Sequence, residues 1–143
     1  MTAVALLVSA LLALAGAVTA ARPSPDAARP SPAPRPPEPD DAAFMVAAAR
    51  YFPAAELANV WAIDGCESTH GADERTYSLD APDGGRLQLN RATWESFFER
   101  NHGWPWERVV RDLDTHLHAA YIVWQRAGGT WSPWSCRIVL AGG

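Results

Sequence analysis

Lysine is absent from this sequence. All twelve basic residues are arginine, against sixteen acids, and the formal net charge is −4. From Asp40 onward fourteen acids face nine arginines. A nucleic-acid binder needs clustered basic residues to displace counterions from phosphate, so no nucleic-acid partner is expected. The same balance leaves no cationic patch for anionic lipid. Cysteine is scarce as well, with two residues and no Cys-x-x-Cys pair, which excludes the usual zinc sets. Glu67-x-x-His70 matches half of a di-iron bundle motif, but the second copy and two further glutamates are missing. His116 and His118 do not share a helical face. There is no Gly-x-Ser-x-Gly, no P-loop, no dinucleotide fingerprint and no internal repeat. No metal and no cofactor are expected.

The chain's 143 residues, 48% of them hydrophobic, suit one small globular domain. Residues 1–21 carry no charged side chain. Val4 to Val18 reads as an apolar export core, and Val18-Thr19-Ala20 as a small-residue cleavage pattern cut after Ala20 or Ala21. No Lys or Arg precedes the run, which is also just long enough to span a bilayer. Residues 1–21 are therefore a cleaved signal peptide or an uncleaved anchor. Either way the domain is secreted or extracytoplasmic, and any membrane contact runs through this segment alone. Residues 22–39 hold eight of the twelve prolines. Proline removes donors and fixes φ, so this stretch is expected to be a disordered, semi-rigid spacer, roughly 55 Å long at about 3.1 Å per residue.

The folded domain spans residues 40–143 and is mainly α. Asp40 or Asp41 caps a first helix through Phe44 and Ala47 to about Tyr51. Pro53 opens a second, through Val60 and Ile63 to about Ser68. Pro82-Asp83-Gly84-Gly85 is a strong turn, and Arg86-Leu87-Gln88-Leu89 alternates like a short strand, so a small hairpin is expected around residues 77–90. Asn90 caps a third helix bearing Trp94, Phe97 and Phe98. Trp104-Pro105-Trp106 opens a fourth. Asp114 or Thr115 starts a fifth, carrying Leu117, Ala120, Tyr121 and Trp124 and stopped by Gly128-Gly129. All seven tryptophans lie between residues 61 and 134, more than a core this small needs, and the excess suits stacking on sugar rings.

Glu67 ends the apolar run of the second helix. Val60, Asp64 and Glu67 fall within about 60° on its surface, so Asp64 and Glu67 are neighbours. A carboxyl group crowded by tryptophan and aliphatic side chains loses water, which favours its neutral, proton-donating form, and an Asp64 charge beside it acts in the same direction. Periodicity alone leaves the plainer reading open, a solvated carboxylate at a helix end. In an exported chain two cysteines pair. Cys66–Cys136 would close a loop of roughly seventy residues, worth on the order of 4 kcal/mol. Two buried free thiols are the alternative.

Three blocks together resemble the bacterial lysozyme-like domains that cleave peptidoglycan, namely the soluble lytic transglycosylases and the resuscitation-promoting factors. Cys66-Glu67-Ser68 is similar to their catalytic Glu-Ser. Gly85-Arg86-Leu87-Gln88-Leu89 with Thr93-Trp94 is similar to their Gly-Leu-x-Gln block, with Arg86 in an apolar position. Ala119-Ala120-Tyr121 followed by Trp131-Ser132-Pro133-Trp134-Ser135-Cys136 is similar to their closing helix and tail. The blocks span roughly residues 56 to 137. The resemblance implies a small lysozyme-like fold acting as a monomer on peptidoglycan glycan strands. Glu67 is then the general acid and base at the MurNAc–GlcNAc β-1,4 bond. Ser68 and Gln88 would bind substrate or orient the acid, and Tyr121 would line the cleft. Asp80 and Asp83 are candidates for a second carboxylate. Trp131 or Trp134 would stack on a sugar, with Trp94 and Trp124 in the core. The competing readings are a non-catalytic, secreted cell-wall-binding module and a tryptophan-rich interaction domain without glycan affinity.

Overall fold

The computed structural model describes residues 41–140. The expected export segment, the proline-rich spacer and a cap at Asp40 lie outside them. The described residues are mainly helical, with one small two-stranded antiparallel sheet.

Helix α1 (Asp41–Ala48) buries Phe44, Ala47 and Ala48. It stops short of Tyr51: the Arg50 and Tyr51 N–H groups turn to the carbonyls three residues back, on Ala47 and Ala48, at 3.1 and 3.0 Å. Pro53 itself is extended (φ −54°, ψ 146°) and precedes a 3-10 turn, Ala54–Glu56, rather than opening the helix. Helix α2 (Leu57–Ser68) then buries Val60, Ile63, Asp64 and Ser68. It ends where Thr69 and His70 turn left-handed, at φ 53° and 56°.

An irregular loop leads to the sheet, β1 (Asp83–Gly84) and β2 (Leu89–Asn90), in the register Asp83 to Asn90 and Gly84 to Leu89. Of the alternating strand expected over Arg86–Leu89, only Leu89 lies in a strand; Arg86, Leu87 and Gln88 form the turn of this hairpin. Gly85 and Gln88 both take positive φ, 74° and 44°, so Arg86 and Leu87 are both buried instead of facing opposite sides. A Cβ at Gly85 would lie 2.2 Å from the His116 ring. Only glycine lets the hairpin backbone rest directly on that imidazole.

Helix α3 (Arg91–His102) is capped as expected, the Asn90 side chain accepting the Thr93 N–H at 3.0 Å. Helix α4 (Trp106–Arg111) buries Trp106, Val109 and Val110. Helix α5 (Leu113–Arg126) starts earlier than the sequence suggests. Its cap is Asp112, which is extended and accepts the Thr115 N–H at 2.8 Å. Asp114 instead takes the Tyr51 hydroxyl at 2.8 Å and Arg50 at 2.9 Å. A last 3-10 segment, Ser135–Val139, closes the described chain. Cys66 and Cys136 are disulfide-bonded, fastening this tail to the end of α2. None of the described helices is long and apolar enough to cross a membrane.

The core gathers Phe44, Val60, Ile63, Leu87, Phe98, Val109, Val110, Leu117 and Val123. His116 sits among them, buried. Its Nδ1–H donates to the Val109 carbonyl at 3.0 Å, and its Nε2 accepts the Leu87 N–H at 2.9 Å. The ring therefore joins α4, α5 and the hairpin, and it must be neutral to do so. Burial pushes its pKa down to about 4. The unfolded chain takes up this proton near pH 6.5 and the folded chain only near 4, so stability drains away as pH falls across that window. The expected loss is about 3 kcal/mol in total. Denaturant midpoints measured from pH 7 to pH 4 should show it, and His116→Gln should flatten that part of the curve while lowering its plateau.

Candidate active site

The end of α2 meets the hairpin through one buried ion pair. Asp64 and Arg86 are 0% and 1% exposed. Arg86 Nε donates to Asp64 Oδ1 at 2.9 Å, and Nη2 donates to Asp64 Oδ2 and, at 3.1 Å, to Asp41 Oδ1. The guanidinium also lies 4.0 Å over the Phe44 ring. A planar fork against a carboxylate is the strongest geometry such a pair can take. His70 Nδ1 reaches Asp64 Oδ2 at 2.8 Å while its ring stacks on Trp61 at 3.7 Å. Asp64, expected beside Glu67 as a like charge, gives its carboxylate to Arg86 and His70.

Glu67, one turn beyond Asp64, is half-buried. Its Oε1 accepts two hydrogen bonds from the tail, from Ser135 Oγ at 2.9 Å and from the Cys136 N–H at 3.0 Å. Among the described residues Oε2 has no hydrogen-bond partner. The carboxylate lines two adjoining cavities. One, of about 280 Å³, is walled by Asp83, Gln88, Leu89, Trp94, Trp134 and Ser135 among others. The other, of about 160 Å³, includes Asp73, Arg75, Pro82, Asp83 and Gln88. Glu67, Asp83 and Gln88 border both and thus mark the middle of one cleft.

Gln88 is held in a strained left-handed conformation, φ 44°. Its backbone N–H and its Nε2 both donate to the Gly85 carbonyl, at 3.0 and 2.7 Å, which leaves Oε1 as the acceptor available to a ligand. Asp83 Oδ1 accepts from Asn90 Nδ2 at 2.9 Å, which fixes this carboxylate on the hairpin side of the cleft.

The other expected site residues lie elsewhere. Ser68 is buried, its hydroxyl donating to the Asp64 carbonyl at 3.1 Å and accepting the Gly71 N–H at 2.9 Å. It shapes the helix end and borders neither cavity. Tyr121 packs edge-on to Phe52, stacks on Trp124 and accepts from Gln125. Trp131 is buried, stacked on Phe52 with its Nε1–H on Glu56 Oε2 at 2.8 Å, so its faces are not offered to a sugar. Asp80 borders a separate shallow depression with Arg91 and Glu95. Trp94, expected in the core, is half-buried and lines the cavity of about 280 Å³ with Trp134, whose Nε1–H is anchored on the Leu87 carbonyl at 2.8 Å. Sequence reasoning passed over Ser135. Its one signal was adjacency to Cys136, the residue that ties the tail to Glu67's helix.

Compared with family models, curated proteins and solved structures, the chain matches none.

Arg86→Leu leaves the Asp64 carboxylate buried without its counter-charge, so the expected cost is about 3–5 kcal/mol. For a domain of this size that lowers Tm by roughly 12 °C or more. Adding Asp64→Asn should recover part of the loss. Thermal unfolding of the two variants beside the parent checks both statements.

Proposed function

We propose that this protein cleaves peptidoglycan glycan strands at the MurNAc–GlcNAc β-1,4 bond, as a lysozyme-like muramidase or lytic transglycosylase of the cell wall. One observation carries the reading. Glu67, in the Cys-Glu-Ser block, has one carboxylate oxygen tied down by two donors and the other, among the described residues, without a partner, in a cleft shared with Gln88 and Asp83. Glu67, Gln88 and the Ser135-Cys136 pair come one from each of the three blocks in which the sequence resembles such enzymes.

The chemistry follows from that arrangement. Glu67 enters protonated at Oε2 and gives the proton to the leaving glycosidic oxygen as the bond to the anomeric carbon breaks. The oxocarbenium-like centre is stabilised by the substrate's own N-acetyl oxygen, so a carboxylate nucleophile is not required. Glu67, now ionised and held by Ser135 Oγ and the Cys136 N–H, takes a proton back. If it comes from the sugar's 6-hydroxyl, the product is a 1,6-anhydro sugar; if from water, a reducing end. Gln88 Oε1 accepts from a substrate hydroxyl or amide N–H, and Trp94 and Trp134 form apolar wall.

Glu67→Gln removes the proton that the reaction transfers and keeps the shape. Its expected effect is a loss of turnover by at least about 100-fold, with wall binding retained, measured as muropeptide release from purified peptidoglycan and co-sedimentation with it. Equal release by the parent and the Gln variant would rule out the acid role. Binding without any release would make the protein a wall-binding module.

A further inference from the structure

We infer that Ser135 is a positioning residue for Glu67: its hydroxyl, carried on the disulfide-pinned tail, fixes the carboxyl group in the orientation that transfers the proton. This rests on Glu67 being the acid of the cleft.

A glutamate at a helix end is poorly restrained. Its side chain has three rotatable bonds, and at the last turn of α2 it has few neighbours from its own helix to restrict them. Proton transfer to a bound glycosidic oxygen tolerates little misplacement. Something must therefore fix the carboxyl group. Among the described residues, the hydrogen bonds that do so come from the tail: Ser135 Oγ and the Cys136 N–H converge on the same oxygen, Oε1. With two donors on Oε1, the proton to be transferred belongs on Oε2.

The tail is built to hold this hydroxyl still. Ser135 stands between two anchored residues. Trp134 before it is buried and bonded to the Leu87 carbonyl, which belongs to the same turn as Gln88. Cys136 after it is covalently joined to Cys66, the neighbour of Glu67. The position of Oγ is thus referenced to both sides of the cleft at once. Ser135 is itself exposed, and among the described residues its side chain bonds to Glu67. The fold has little use for the hydroxyl, and the carboxylate does.

Ser135 touches Glu67 and belongs to the cleft wall, so the split between kcat and KM separates orientation from binding. The test uses the full-length protein on purified peptidoglycan. Ser135→Ala should lower kcat roughly tenfold, the scale of one hydrogen bond to a charged group, with KM little changed and Tm within a degree or two. Ser135→Thr, which keeps the hydroxyl, should restore most of the rate. Alanine with parental kcat, or threonine no better than alanine, would overturn the positioning role and leave the acid role of Glu67 standing. A parent protein that releases nothing would overturn both.

Discussion

A bidentate ion pair buried between α2 and a hairpin turn governs the geometry of this domain. Asp64 lies one turn before Glu67, and Arg86 lies two residues before Gln88. Their union sets the distance between the two sides of the cleft. Two desolvated charges are costly, and their mutual attraction repays that cost only when remaining donors and acceptors are filled. Here Asp41 accepts a further bond from the guanidinium and the Phe44 face lies against it, while His70 and Ser68 bond to the carboxylate. An apolar pair could stabilise the same space, but it would not specify one register of hairpin on helix.

Around that pair the other constraints act in concert. The disulfide brings the tail to the α2 end, and the Trp134 indole ties the same tail to the hairpin. The neutral His116 imidazole carries the hairpin's Leu87 N–H to α4 and α5. Each links elements far apart in sequence, so the cleft is defined by long-range contacts rather than by any single loop. Gln88 holds its left-handed backbone within this frame. Such strain persists where surrounding structure over-determines it, and it is common beside functional groups.

Local signals were enough for the helices. Asn90 before a Thr93 N–H, the apolar spacing of α2 and α5, and the Gly128-Gly129 stop all act over a few residues, which is the range at which sequence is informative. The start of α5 was misread because Asp112 and Asp114 are equally good caps on composition, and backbone geometry decides between them. Arg86 was read as a mismatch in an otherwise familiar block. An arginine in a polar turn looks like surface until its partner, twenty-two residues away, is known. The tryptophans failed for a related reason. Nothing local distinguishes Trp131, whose indole finds Glu56, from Trp94, which faces the cleft. Glu67, Gln88 and Asp83 were named from sequence and do meet in one cleft, whereas Ser68, Tyr121, Trp131 and Asp80 do not border it.

The central claim is that a carboxylate held at one oxygen by its own tail breaks a glycan. Mass spectrometry of material released from purified peptidoglycan by the full-length protein tests this most directly. Glycosidic cleavage predicts soluble disaccharide-peptides ending in MurNAc, either anhydro or one water heavier. Released peptides with intact glycan strands, or no soluble product at all, would contradict it.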